Sequence, residues 1–359
     1  MDAPLPGLVR LVNELELRLT GTAPGPGLPP SHADAVPPSA TYVVVLFDGL
    51  GSHQLAHRAA GDLRRSHAGD LQAPFPTTTT VALATIATGL DPGGHGTIAH
   101  LMWIPEVARV VNTLKWVTPT GERVDVDTSG FLPAPNLWER LSATGCEPIT
   151  VQPVSFEGTP LSRALYRGCR FEGVRDEDEL IEATVSLARV PGRLILTYLP
   201  HVDVAAHVSG QQSPEYARAL KIADDVWSGI RHRLAPGAGL VGSSDHGHID
   251  YSPDDKLLIR DPAYAGLVFH GDSRALMVRG DRSLIERLAS DAGAMLIRDG
   301  ELRRLFEPAT HPQIDERLPD AVLLAPDRRL LIPPGFDKRL VGYHGGLDPR
   351  EATIPLLVG

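Results

Sequence analysis

Cysteine is nearly missing from this chain: Cys146 and Cys169 are the two present in 359 residues, and they form no C-x-x-C pair. A disulfide framework is therefore excluded, and a reducing, cytoplasmic setting is expected. Long apolar runs are missing as well, since nothing approaches the roughly 18 apolar residues that a membrane-spanning helix requires. The N-terminal "MDAPLPGLVRLVNELELRL" has neither the basic start nor the unbroken apolar stretch of a signal peptide. Leu8, Val12, Leu15 and Leu19 recur there at helical spacing, and the opposite face is not rich in Lys, so a helix packed on the body is expected and no membrane contact. Positive charge is in deficit. With 34 Lys and Arg against 44 Asp and Glu the net charge is -10, which argues against a nucleic-acid polymer as partner.

What is present is a soluble-type composition, 42% hydrophobic and 22% charged, in a chain long enough for one large domain or two. After the first helix, "TGTAPGPGLPPSHADAVPPSA" is dense in Pro and Gly and reads as a linker without regular structure, so residues 1–40 form a helix and linker and residues 41–359 the body. Apolar strand candidates follow at "YVVVLF", "PITVQP", "RLILTYLP", "GLVGSSD" and "DAVLLA". Between them lie helical patterns such as "NLWERLSAT", "DEDELIEATVSLA" and "SPEYARALKIADDVWSGIRHRLA", the last with Ser213 as N-cap and Pro214 in the first turn. Strands alternating with helices predict an α/β fold, a mostly parallel sheet covered by helices on both faces as a three-layer α/β/α sandwich. From about 267 to 334 the pattern changes to short elements, a small inserted α+β subdomain.

Chemistry-bearing residues gather where these strands end. "YVVVLFDGLG" delivers Asp48 to the carboxyl end of a strand buried on both faces, where open α/β sheets bind ligands; a turn-shaping Asp would look the same. In "FPTTTTVALATIATGLDPGGHG", Thr77 to Thr80 precede a small apolar helix whose N-terminus suits an anion, although threonines there also serve as caps. "TYLPHVDVAAHVSG" sets Asp203 and His207 four residues apart on one helical face, fit for one metal ion or merely exposed. "GLVGSSDHGHID" gives Asp245 and His246 in a turn, and "LVGYHGGLDPREATIPLLVG" puts His344 in a Gly-rich loop before a last strand. Together they supply three Asp, three His and a threonine, enough for two three-ligand metal sites and a nucleophile.

In this order the five segments "FDGLG", "FPTTTTVALATIATGLDPGGHG", "YLPHVDVAAHVSG", "SSDHG" and "YHGGLDPREATIPLLV" resemble the successive motifs of the alkaline phosphatase superfamily, in its nucleotide pyrophosphatase/phosphodiesterase branch. The resemblance runs from Val43 to the C-terminus. It implies an alkaline phosphatase-like fold and two divalent metal ions, zinc by the donor types. Asp48, Asp245, His246 and the nucleophile Thr79 would hold one ion, and Asp203, His207 and His344 the other. It further implies hydrolysis of a phosphodiester or pyrophosphate bond of a small phosphorylated substrate through a phosphothreonine intermediate.

The sequence also departs from the family. Where the diesterases often carry a phosphoryl-contacting asparagine, alignment gives His100; His100 could donate the same hydrogen bond, or Asn112 could take it over. A phosphomonoesterase or phosphonate hydrolase with the same metals is the nearest alternative, and it would be favoured by a cation on the phosphoryl group, with Lys115, Arg167 and Arg170 as candidates. Trp103 and Trp116 could stack on a base or belong to the core. No C/S-x-P-x-R segment resembles a sulfatase. A catalytically silent metal-binding protein would be expected to have lost a ligand or the nucleophile, and every such position is filled.

Overall fold

The computed structural model describes residues 4–359. Its main sheet has seven strands in the spatial order His67–Gln72, Thr353–Val358, Gly239–Ser244, Tyr42–Phe47, Arg193–Leu199, Glu147–Pro153 and Arg170–Val174. The last five run parallel, and Thr353–Val358 is antiparallel to both of its neighbours. All six residues of Tyr42–Phe47 are buried, as its uniformly apolar sequence predicts. Tyr42, Val44 and Leu46 pack on one side of the sheet with the helices Leu8–Thr20, Thr79–Thr88 and Leu137–Ala143. Val43, Val45 and Phe47 pack on the other side with Glu177–Leu187 and Pro214–Arg233. Each such aliphatic side chain contributes about 1.5–3 kcal/mol by burial, and the alternation makes the three layers. Ser213 caps the last of these helices through the N–H of Tyr216.

Two expectations need correction. The linker is not devoid of regular structure, because Pro30–Ala33 forms a helical turn. It is also tied to the first helix, where the Arg18 guanidinium donates to the carbonyls of Ala33 and Val36, both at 2.8 Å. "DAVLLA" is a strand, but Ala321–Leu324 lies in a second, antiparallel sheet between Met295–Arg298 and Ala275–Arg279. That six-stranded sheet continues through Val268–Gly271 to Leu101–Ile104 and Arg109–Asn112, so the region around 267–334 shares its sheet with residues 101–112. It stands beside the carboxyl ends of the parallel strands and walls the site.

Candidate active site

Asp48 follows the central strand and continues its ladder by donating its N–H to the Leu199 carbonyl at 2.9 Å. Gly49 then turns the chain at φ 77, and a Cβ there would lie 2.8 Å from the Asp203 Cα and from His248 Nε2. Only glycine fits so close to two other site residues. The N–H groups of Gly49 and Leu50 donate to Asp245 Oδ1 and Ser244 Oγ, both at 2.9 Å, which locks this turn to the end of Gly239–Ser244. Asp203 and His207 stand in the helix His201–Ser209, one turn apart as their spacing requires.

The four threonines separate by function. Thr77 is a clamp: its hydroxyl donates to the Gly346 carbonyl and accepts from the Gly345 N–H, both at 3.0 Å, and its carbonyl accepts from His344 Nδ1 at 2.7 Å. Thr78 is the N-cap residue, and Thr80 is buried against Ala99 and Thr113. Thr79 opens the helix Thr79–Thr88, and its Oγ1 lies 3.2 Å from His246 Nε2 and 3.4 Å from Asp48 Oδ1.

The donor set fits cations. His207 and His344 each donate Nδ1–H to a backbone carbonyl, of Gly342 at 2.8 Å and of Thr77 at 2.7 Å, and His246 does so to Gly247 at 3.1 Å. Each ring therefore turns an Nε2 lone pair inward, the tautomer a metal ligand needs. Nε2 of His207 and Nε2 of His344 lie 3.2 Å apart, a distance suited to sharing one cation or one proton on His207, whose pKa Asp203 raises against burial. Asp245 Oδ2 is buried without a partner, 3.5 Å from His246 Nε2. Burial, with Asp203 and Asp245 close by, lifts the Asp48 carboxyl well above its usual range. Against the same burial, His207 and His248 hold Asp203 well below it. Burial and the neighbouring imidazoles keep His344 neutral. Asp203 belongs to two groups of close donors, one with His207, His248 and His344 and one with Asp48 and His246, so the groups adjoin.

Two site residues escaped the sequence reading. His248 is fully buried with Nε2 2.8 Å from Asp203 Oδ1; its i, i+2 spacing from His246 on an extended segment was the available signal. Tyr198 donates its hydroxyl to Asp48 Oδ2, a contact set by the register that pairs Tyr198 with Leu46.

His100 and Asn112 come together, because the hairpin pairs Leu101 with Asn112. Asn112 Oδ1 accepts from the N–H groups of Leu114 and Lys115, both at 3.0 Å. That fixes the amide so that Nδ2 faces His100 Nε2 at 3.2 Å. Burial, with His207 and Lys115 adding to it, pushes His100 down to about 4, so it is a neutral acceptor there. Both line a cavity of about 490 Å³ that also reaches Thr79, Asp203, His207 and His344. A second, apolar cavity of about 340 Å³ meets the first at Thr79 and Asp203 and is walled by Phe156, Leu165, Tyr166 and Tyr198. Lys115 lines both. Arg167 and Arg170 are elsewhere, paired with Glu139 and with Glu172 and Glu147. Trp116 is buried edge-on against Phe131, and Trp103 lies under the Arg279 guanidinium; neither lines these two cavities.

A mostly parallel sheet with a threonine at a buried helix N-terminus between two Asp/His clusters defines the architecture of the alkaline phosphatase superfamily. Within it, residues 42–267 match the type I phosphodiesterase/nucleotide pyrophosphatase family, and the chain belongs to that family. An uncharacterized pyrophosphatase/phosphodiesterase of Schizosaccharomyces pombe is 24% identical over 255 residues, 65% of this chain. The matched region spans only 50% of that relative's length. Among solved structures, an inactive threonine-to-alanine variant of murine ectonucleotide pyrophosphatase/phosphodiesterase 5, in complex with AMP, is similar with a TM-score of 0.68 at 17% identity over 88% of this chain and 87% of that one. Phosphonoacetate hydrolase from Sinorhizobium meliloti in complex with phosphonoacetate gives 0.67 at 19% identity over 90% and 91%. These two likenesses are of fold. Among the described residues no helix is long and apolar enough to cross a membrane.

The clamp yields a first prediction. Thr77→Val keeps the side-chain volume but leaves the buried Gly345 N–H and Gly346 carbonyl unpaired, costing about 1–3 kcal/mol for each unsatisfied group. It loosens the loop that carries His344, so affinity at the Asp203 group should fall by about 10–100-fold. Zinc titration by calorimetry, alongside denaturant unfolding, checks both.

Proposed function

We propose that the chain is a metal-dependent hydrolase of phosphodiester or pyrophosphate bonds with Thr79 as nucleophile. The observation that carries this reading is the Thr79 hydroxyl, 3.2 Å from His246 Nε2 and 3.4 Å from Asp48 Oδ1 at the start of a buried helix. Asp48, Asp245 and His246, with Thr79, would hold one divalent ion, and Asp203, His207 and His344 the other, and carboxylate and imidazole donors suit zinc. Bound there, the ions supply Lewis acidity that lowers the hydroxyl pKa and polarises the phosphoryl oxygen. Thr79 Oγ1 gives up its proton to solvent and forms the bond to phosphorus while the bond to the leaving oxygen breaks and that oxygen takes up a proton, giving a phosphothreonine. Water then cleaves this ester, restoring the hydroxyl. That a structural neighbour is inactive once a threonine becomes alanine is consistent with this role.

Asn112 and His100 act as a pair in this scheme. His100 Nε2 accepts one amide hydrogen of Asn112 and leaves the other for a phosphoryl oxygen, where a preorganised donor stabilises developing charge. The first turn of Thr79–Thr88 adds N–H groups and dipole. Tyr198 holds Asp48 in place from behind.

Lys115 lines the site, as a phosphomonoesterase would want, so the two readings separate on substrates. The zinc-loaded protein is offered p-nitrophenyl phosphate, bis(p-nitrophenyl) phosphate and a nucleoside 5'-monophosphate p-nitrophenyl ester. Faster turnover of the diesters is expected; preference for the monoester transfers the assignment to a phosphatase. A cytoplasmic location is also proposed, on the two unpaired cysteines.

A further inference from the structure

A buried ion pair that the scheme above does not use stands behind the donor groups. Arg274, in the turn between the strands Val268–Gly271 and Ala275–Arg279 of the second sheet, is 4% exposed, and Glu351, in the helical turn Pro349–Ala352, is fully buried. Arg274 donates from Nε and Nη2 to Glu351 Oε1 at 3.2 and 3.1 Å. Glu351 Oε2 accepts the Gly346 N–H at 3.0 Å, two residues beyond His344. The carbonyl of the same Gly346 accepts the Thr77 hydroxyl at 3.0 Å, so that residue is held from both sides. A Cβ at Gly346 would lie 2.5 Å from Glu351 Oε1, and only glycine lets the loop come so close. The Glu351 carbonyl in turn accepts the Gly247 N–H at 2.8 Å, next to His246. One residue therefore grips the His344 loop by its side chain and the His246 turn by its backbone. Stability alone does not explain the pair, because apolar residues of like volume often serve a buried site as well or better.

We propose that Glu351, oriented by Arg274, is a positioning residue that sets His344 in its donor group, so that loss of the side chain weakens one of two bound metal ions and spares the other. The inference rests on the hydrolase reading and its two ions. The Glu351 side chain acts on the loop that carries His344, a donor in the group with Asp203 and His207. Its backbone carbonyl, which no side-chain change removes, acts on the turn that carries His246. A variant of the side chain thus frees one group and leaves the other held. A general loosening of the fold would weaken both.

Zinc titration of the full chain by calorimetry reads this without turnover. Removing one partner leaves the other charge buried and unpaired, so the variant of choice is the double substitution Arg274→Met/Glu351→Met. It should bind one ion within about threefold of wild type and the other about 10–100-fold more weakly. Arg274→Met/Glu351→Gln gives the Gly346 N–H an acceptor again without restoring the charges, and it should recover most of that affinity. Both ions weakened alike, neither weakened, or no recovery with the glutamine substitution would overturn the proposal. Should the first double variant not melt cooperatively, Glu351→Asp keeps both charges and draws the carboxylate one methylene back from Gly346; the same one-sided loss is expected, and unchanged affinity overturns the proposal. A wild type that holds two zinc ions and turns over none of the p-nitrophenyl substrates counts against the hydrolase reading, while the titrations still decide the positioning role. A wild type that holds fewer than two ions overturns the positioning role itself.

Discussion

The Thr79→Ala protein is expected to lose turnover of the nucleotide aryl ester by about 10⁴-fold or more, while its metal content and melting temperature stay close to wild type. The substitution removes the hydroxyl and the γ-methyl of a partly exposed residue at the mouth of the helix, so little core packing goes with it. Its neighbours in the run carry other loads. Thr77 holds the His344 loop and Thr80 is bonded to Ala99 and Thr113, so Thr77→Val and Thr80→Val should act on stability first. An alanine at 79 that kept activity would remove Thr79 as nucleophile, and one that lost activity together with its metals would make its part in holding the ion the larger one. Calorimetric metal counts beside steady-state kinetics separate these outcomes.

The second large effect is expected at Asp203. It accepts from His248 at 2.8 Å, lies 3.3 Å from His207 Nε2 and 3.9 Å from His344 Nε2, and is shared by both donor groups. Asp203→Asn preserves shape but removes the charge, and zinc affinity should drop beyond the roughly 10–100-fold typical of losing an outer partner. Turnover should follow by about a thousandfold, recoverable in part at high zinc if binding alone is lost. The size of the stability change depends on metal. In the metal-free chain His207 and His248 hold the Asp203 carboxyl well below its usual range against burial, so the ionised group stabilises the fold at neutral pH and the variant should melt below wild type. With zinc, wild type gains about 4 kcal/mol more at a thousandfold excess over Kd, and the variant forfeits much of that as well. A metal-free variant that melts with wild type would mean that the contacts with His207 and His248 add nothing to the fold. Chelator-treated and zinc-loaded melts of both proteins decide it.

Much of the architecture is legible in local pattern. The apolar run Tyr42–Phe47 could be buried on both faces only inside a covered parallel sheet, and Ser213-Pro214 marked a helix start that the fold respects. The motifs singled out Asp48, Asp203, His207, Asp245, His246 and His344 as candidates, and the family resemblance chose Thr79 from the run of four threonines; the fold brings these side chains near one another. What lay beyond reach are the meetings across long stretches of chain. "DAVLLA" looked like one more strand, yet its place in the second sheet follows from pairing with Ala275–Arg279 and Met295–Arg298. His100 and Asn112 were rivals on paper and are partners in space, since the register of one hairpin opposes Leu101 to Asn112. Tyr198 and His248 carry no motif; each gains its place from a neighbour 150 or 45 residues away. Burial periodicity is written residue by residue and survives in a single sequence. Contacts inside a site depend on strand register and on how two sheets stand together, quantities that only the packed chain determines.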